Sequence, residues 1–168
     1  AEGKIESGDE KKLNALKGET MAVIALCQFD LTRCFGYPYT KDKGASLGAP
    51  LIDHLVGTYE NPPRSTVAQA YDFIIETLEE AVTLMSEEKN NGRMNKYAAR
   101  ALLARIYLYH DDNRKAFDLA DQLIKDADTS GSYALYPHEK YVAAWSVETK
   151  FGSESFFEIA NSVDDTPG

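Results

Sequence analysis

The sequence predicts a mainly all-α protein, an α-α helical scaffold with long loops and a short extended C-terminal arm. Three observations carry that reading. Apolar residues recur at spacings of three and four along four stretches, the period of a helix with one buried side. Capping and turn residues stand at the ends of those stretches. Only residues 154–160, ESFFEIA, have the apolar density of a strand or a buried extended arm.

The first eight residues are polar and Gly-bearing, and are expected to be frayed. A long helix is then expected over 11–35, with Leu13, Leu16, Thr20, Val23, Cys27, Leu31 and Cys34 as its buried stripe. Around Met21 to Leu26, MAVIAL, apolar residues run right round the cylinder, which predicts burial on several sides. Four helices are too few to cover such a turn, so an exposed apolar patch of more than several hundred Å² is expected. FGYPYT stops the helix: Gly36 is suited to the left-handed conformation and Pro38 cannot continue the helical hydrogen bonding. Cys27 and Cys34 lie two turns apart, roughly 10 Å at about 1.5 Å rise per residue. A disulfide needs less than about 7 Å, so both are expected as free, buried thiols.

Residues 36–64 form a long loop with four Gly and four Pro and no sustained period. A connection of that length inside one domain is generally functional or wrapped on a partner. LGAPLIDHL is expected to hold a short extended segment, and ENPPR is extended because residues before proline avoid the helical region.

The second helix is expected over 66–85. Thr66-Val-Ala-Gln69 has the form of a capping box, and Val67, Ala70, Tyr71, Ile74, Leu78, Ala81, Val82 and Met85 make the buried stripe. Glu76, Glu79 and Glu80 face water. A helical hairpin follows over 95–127, with helices at 95–110 and 113–127 folded back on each other. Ala98, Leu102 and Tyr109 mark one face of its first helix, and Leu103, Ile106 and Tyr107 a second. Ala116, Leu119, Ala120, Leu123 and Ala127 mark its second helix. Asn113 is expected to cap that second helix. Leu103-Ala104, Tyr107 and Ala116 fall at tetratricopeptide-repeat (TPR) spacing, which makes this a TPR-like hairpin. The match is partial, because Ala120 replaces the usual aromatic and the terminal proline is absent. KYVAAWS is expected as a short helix.

The chain has 168 residues, 43% hydrophobic and 27% charged, as befits a single globular region. Its net charge of −9 is spread along the sequence, which argues against a nucleic-acid partner or an anionic membrane surface. No run reaches the roughly 20 apolar residues that cross a bilayer as a helix.

Four stretches stand in order along the chain: GETMAVIALCQFDLTRCFGYPYT, ENPPRSTVAQAYDFIIETLEEAVTLM, GRMNKYAARALLARIYLY and WSVETKFGSESFFEIA. In that order they resemble the SusD/RagB family of outer-membrane nutrient-binding lipoproteins. Ile24, Thr77 and Asp112 depart from the family pattern, which has Arg, Asp and Gly there. The resemblance implies a surface protein of Bacteroidota-type bacteria that binds glycan or peptide without catalysis. Its TPR-like helices would rest on a TonB-dependent, SusC-like outer-membrane transporter, over which the protein closes as a lid. Family members are longer, with a lipoprotein signal and lipid-bearing cysteine before this region and a loop-rich region after it. The chain is therefore expected to be an internal piece, residues 1–168 forming one SusD-like region whose share of the work is docking rather than ligand capture.

Aromatic rings outside the helical stripes are the candidate ligand residues, because flat sugar faces stack on them. They are Tyr37, Tyr39, Tyr59, Tyr133, Tyr136, Tyr141 and Trp145, and each has the alternative of wedging a loop against a helix. Trp145 is expected in the core. Tyr37, Tyr39 and Tyr59 are expected exposed, since their loop has no stripe to bury, and they are the residues chosen for ligand binding. His110-Asp111-Asp112 reads as a helix turn rather than a metal site, and His54 with Asp53 lacks a nucleophile pattern nearby. Asp164-Asp165 read as tail charges. No cofactor, metal or catalytic residue is expected. The competing reading is a generic TPR-type scaffold for a protein segment, whose helices would be joined by short turns.

Overall fold

The computed structural model describes residues 9–90, 92–145 and 151–159. The expected frayed start, Ser146, Ala160 and the Asp164-Asp165 tail lie outside the described residues. Four long helices dominate: α1 (Asp9–Phe35), α2 (Val67–Leu84), α3 (Lys96–Tyr109) and α4 (Asn113–Ser130), with a short α5 (Tyr141–Ala144) near the C-terminal side. A two-stranded antiparallel sheet, β1 (Leu47–Pro50) with β2 (Arg64–Thr66), lies between α1 and α2. The expected mainly α-helical class holds.

Local chemistry sets the helix ends. Asp9 and Glu10 sit in the first turn of α1 and Arg33 in its last, each favourable to the helix dipole. α2 opens on the full capping box: Gln69 N–H donates to Thr66 Oγ1 at 3.1 Å, and Thr66 N–H donates to Gln69 Oε1 at 2.9 Å. Asn95 caps α3 by accepting from Ala98 N–H at 3.1 Å. The cap of α4 is Asp112, which accepts from Lys115 N–H at 3.3 Å, and not Asn113. Asp111 takes the left-handed conformation (φ 69°) in the turn, and α4 begins at Asn113, the start that the spacing predicts. Gly36 does not take the left-handed conformation. Its N–H donates to Thr32 O, and an added Cβ would stand 3.0 Å from Val67 Cγ2, so the position needs space rather than a special φ.

Consecutive helices pack antiparallel. Lys17 of α1 meets Glu80 of α2 at 2.9 Å, and Arg100 near the start of α3 meets Asp126 near the end of α4 at 2.7 Å. The main core holds Phe29, Ile74, Leu78 and Ile106, with Ala22, Ala25, Ala70, Ala81 and Ala99 fully buried where backbones approach. The α2 stripe is buried as expected, with Val82 half-buried. In the α3–α4 hairpin, Leu102, Leu103, Ile106, Tyr107, Ala116, Leu123 and Ala127 are buried, while Tyr109 is half-exposed. The TPR-like character of this hairpin is a reading of its spacing.

The α1 stripe faces the other way. Leu13, Leu16, Val23 and Leu31 are 39–50% exposed, and the buried side is Gly18, Ala22, Ala25, Gln28, Phe29 and Thr32. Small residues win that face because they let α1 approach α2 closely: a Cβ on Gly18 would lie 2.7 Å from Met85 Cγ and 2.9 Å from Ala81 O. Cys27 and Cys34 belong to the outer side. They are free, as expected, but exposed rather than buried.

Residues 151–159 form no strand. They make a turn and bends whose Phe156 packs on Tyr97 and Tyr133, with ring centroids 6.3 Å and 4.7 Å away. The ring contacts act together with hydrogen bonds: Ala134 N–H donates to Ser153 O at 3.1 Å, and Lys89 Nζ donates to Gly152 O at 2.8 Å.

Candidate functional site

The long connection between α1 and α2 is held at its base by side chains reaching backbone. Arg64 Nε donates to Gly48 O at 2.7 Å and its Nη2 to Leu47 O at 3.0 Å, while Ser65 Oγ donates to Ala49 O at 2.9 Å. The buried amide of Gln28 donates to Pro50 O at 3.1 Å and accepts from Ile52 N–H at 3.4 Å. Gly44 (φ 74°) seats the turn before β1 on the start of α2: Ala68 N–H donates to its carbonyl, and a Cβ would come within 2.6 Å of Ala68 N. The LGAP part of the expected extended segment is thus β1, and a 3-10 turn covers Tyr39–Lys41.

Above this base the chain swings out. His54 is gripped on both ring nitrogens, Nδ1 by Asp53 Oδ1 at 2.6 Å and Nε2 by Glu60 Oε1 at 2.7 Å. Glu60 also accepts Gly57 N–H at 3.1 Å. The hydrogen bonds to Asp53 and then to Glu60 push the imidazole above its ordinary pKa. The His54 hydrogen bond lowers Asp53, and the Gly57 N–H followed by His54 lowers Glu60. Leu55 and Tyr59 stand almost fully exposed on this clamp.

The three chosen tyrosines have three settings. Tyr37 is 56% exposed, with Lys41 Nζ 3.0 Å from its ring centroid. Tyr59 is 96% exposed. Tyr39 is half-buried instead of exposed: its ring meets Tyr71 edge-on at 5.6 Å and lies 4.2 Å from the His110 ring. The 3-10 turn after Pro38 drives that ring into the edge of the core, which a loop without a stripe does not foretell. Burial, the largest cause, pushes the Tyr71 hydroxyl beside it up to about 12. Among the described residues no ring contact links the three tyrosines.

Of the other aromatics, Tyr133 is buried and accepts from Asn95 Nδ2 at 2.7 Å. Trp145 is 77% exposed and not core, because the short α5 carries it past the end of the hairpin, edge-on to Tyr141 at 6.2 Å. With Tyr136, Glu154 and Glu158 it borders an open cleft of about 380 Å³. Sequence reasoning named those rings but had no signal for the cleft, which depends on residues 151–159 folding back. His110 is taken up by its stacking on Tyr39 and Tyr71, and Asp112 by its cap. No group of three or more His, Cys, Asp or Glu suited to a metal occurs among the described residues.

Residues 3–108 match the SusD-like family described as starch-binding and associating with the outer membrane. The chain belongs to the SusD-like family. It is 99% identical to a SusD superfamily protein from Bacteroides vulgatus ATCC 8482, covering 99% of this chain and 38% of that one, with a TM-score of 0.93. A SusD superfamily protein from Bacteroides thetaiotaomicron VPI-5482 is 43% identical over 94% of this chain and 33% of its own, with a TM-score of 0.85. A SusD-like carbohydrate binding protein from Bacteroides vulgatus ATCC 8482 is 25% identical over 94% and 31%, with a TM-score of 0.74. The SusD-like chain thus spans about a third of the length of these solved relatives, 31–38%. No curated protein matches it.

Proposed function

We propose that this chain is the docking part of a non-catalytic glycan-binding protein that feeds a TonB-dependent, SusC-like transporter at the cell surface. The observation that carries the reading is a SusD-like helical scaffold whose longest loop holds Tyr37 and Tyr59 outside any core. The exposed Tyr59 ring suits the C–H faces of sugars, and Tyr37 offers the face opposite Lys41, whose Nζ lies over the ring and supplies a donor for hydroxyls. Tyr39 is taken up by the edge of the core instead, where its ring meets Tyr71 and His110. A generic repeat scaffold needs only short turns between helices. The anchored connection between α1 and α2 favours a specialised surface over that alternative, and a sugar over an extended peptide is the reading its stacking chemistry supports.

The energetics favour docking over capture by this region alone. Each aromatic stack contributes roughly 0.5–1.5 kcal/mol, while immobilising a ligand costs about 4 kcal/mol or more. Two open rings therefore leave glycan affinity millimolar at best. Calorimetric titration of the 168-residue chain with starch-derived and other oligosaccharides tests this, and micromolar binding overturns the docking assignment. Failure of the longer protein to bind any oligosaccharide, with its fold intact by circular dichroism, overturns the glycan reading itself. Failure of that protein to co-purify with a TonB-dependent transporter overturns the partner.

A further inference from the structure

α1 is apolar on two opposite sides, and only one of them is covered. At about 100° per residue, Leu16, Val23, Ile24, Cys27, Leu31 and Phe35 fall within an arc of about 120°, some 28 Å long at about 1.5 Å per residue. The side that packs on α2, with Gly18, Ala22, Ala25 and Phe29, lies roughly opposite. The five large members of the arc are 39–66% exposed. Between Thr20 and Phe35 the arc carries no charged residue, in a chain that is 27% charged. A helix apolar on both sides belongs in the middle of a layered structure, and an exposed stripe of this size marks an interface.

We infer that this outer face of α1 is an internal interface, covered by the part of the longer protein that lies outside these 168 residues. Two observations choose that occupant. The near-identical solved relative has more than three-fifths of its length beyond the matched region, ample to form a second layer on α1. Cys27 and Cys34 both sit in the arc as free, exposed thiols. In a family that associates with the outer membrane, bare thiols face surroundings where disulfides form, and burial beneath a second layer keeps them reduced. A second copy of the chain is the rival occupant. The inference does not depend on which ligand or transporter the protein serves.

The test is alkylation of the native full-length protein with N-ethylmaleimide, followed at Cys27 and Cys34 by peptide mass spectrometry. The expected result is modification at least about 100-fold slower than in the urea-unfolded protein, independent of protein concentration, as for sites that open only by unfolding. Labelling of either thiol at the unfolded rate in the native monomer overturns the inference. Protection that disappears on dilution, together with a dimer in sedimentation, overturns it in favour of the second copy. The wild-type chain serves throughout, so no variant has to fold.

Discussion

The stripes of α1 and α2 look alike in sequence and meet opposite fates. On α2 the large residues Tyr71, Ile74 and Leu78 turn inward and are lost to solvent. On α1 the large residues Leu16, Val23 and Leu31 turn outward, and Gly18, Ala22 and Ala25 take the inner face up to Gln28, Phe29 and Thr32 near its end. Apolar periodicity finds a helix with a hydrophobic side, but the side that packs is the one whose shape fits the neighbour. Where two helices press backbone to backbone, the tightest contact belongs to the smallest residues.

The largest expected effect separates the two stripes directly. Ile74→Ala removes a fully buried side chain and should cost about 2–5 kcal/mol in urea unfolding of the 168-residue chain. Ile24→Ala, at a position 42% exposed, should cost less than about 1 kcal/mol in the same chain. Equal losses would mean that α1 uses its outer face within this region, and the comparison would break.

A smaller effect probes the inner face of α1. Gly18→Ala gains up to about 1 kcal/mol of helix propensity. Against that, the new methyl group would stand 2.9 Å from Ala81 O, a backbone atom that cannot turn aside, and overpacking of this kind costs about 1–3 kcal/mol. The net expectation is a loss, read as a lowered urea midpoint. A raised midpoint would show that α1 and α2 have room to spare, and that the small residues are not what selects the buried side.

The contrast also explains what the sequence made legible. The four helices, the Thr66–Gln69 capping box and the α3–α4 hairpin rest on residues a few positions apart, so spacing alone reveals them. The burial of Gly18 and Ala22, the exposure of Cys27 and Trp145 and the wedging of Tyr39 depend on partners far along the chain, which periodicity does not encode. The same limit applies to the loop. Its extended LGAP segment was visible, but Arg64 reaching Gly48 and Gln28 holding Pro50 were not. Tyr37 and Tyr59 were legible as exposed because nothing near them in sequence offers a surface to bury them. The Trp145 cleft needs a segment to return from beyond α5, and no local pattern announces that.

The smallest effect lies in the loop, where electrostatics rather than packing holds the chain. His54 is raised from its ordinary value near 6.5 by Asp53 and Glu60, so its contribution is fully present below about pH 6.5 and fades as pH rises through the higher folded value. Asp53 and Glu60 are lowered, so theirs is present above their ordinary values of 3.8 and 4.5 and is lost as pH falls through the depressed ones. The clamp is therefore complete between about pH 4.5 and about 6.5. All three groups are exposed, so water and salt screen the clamp and global stability should scarcely move. The sensitive readout is local: an NMR titration of the His54 ring should give a midpoint above 6.5, and Glu60→Gln should lower it. The Gly57 amide resonance, bonded to the same carboxylate, should shift with that midpoint in the wild type and not in the variant. A His54 midpoint at or below 6.5 would mean that the clamp does not form in solution, and that Tyr59 rides on a loop with nothing to hold it toward a ligand.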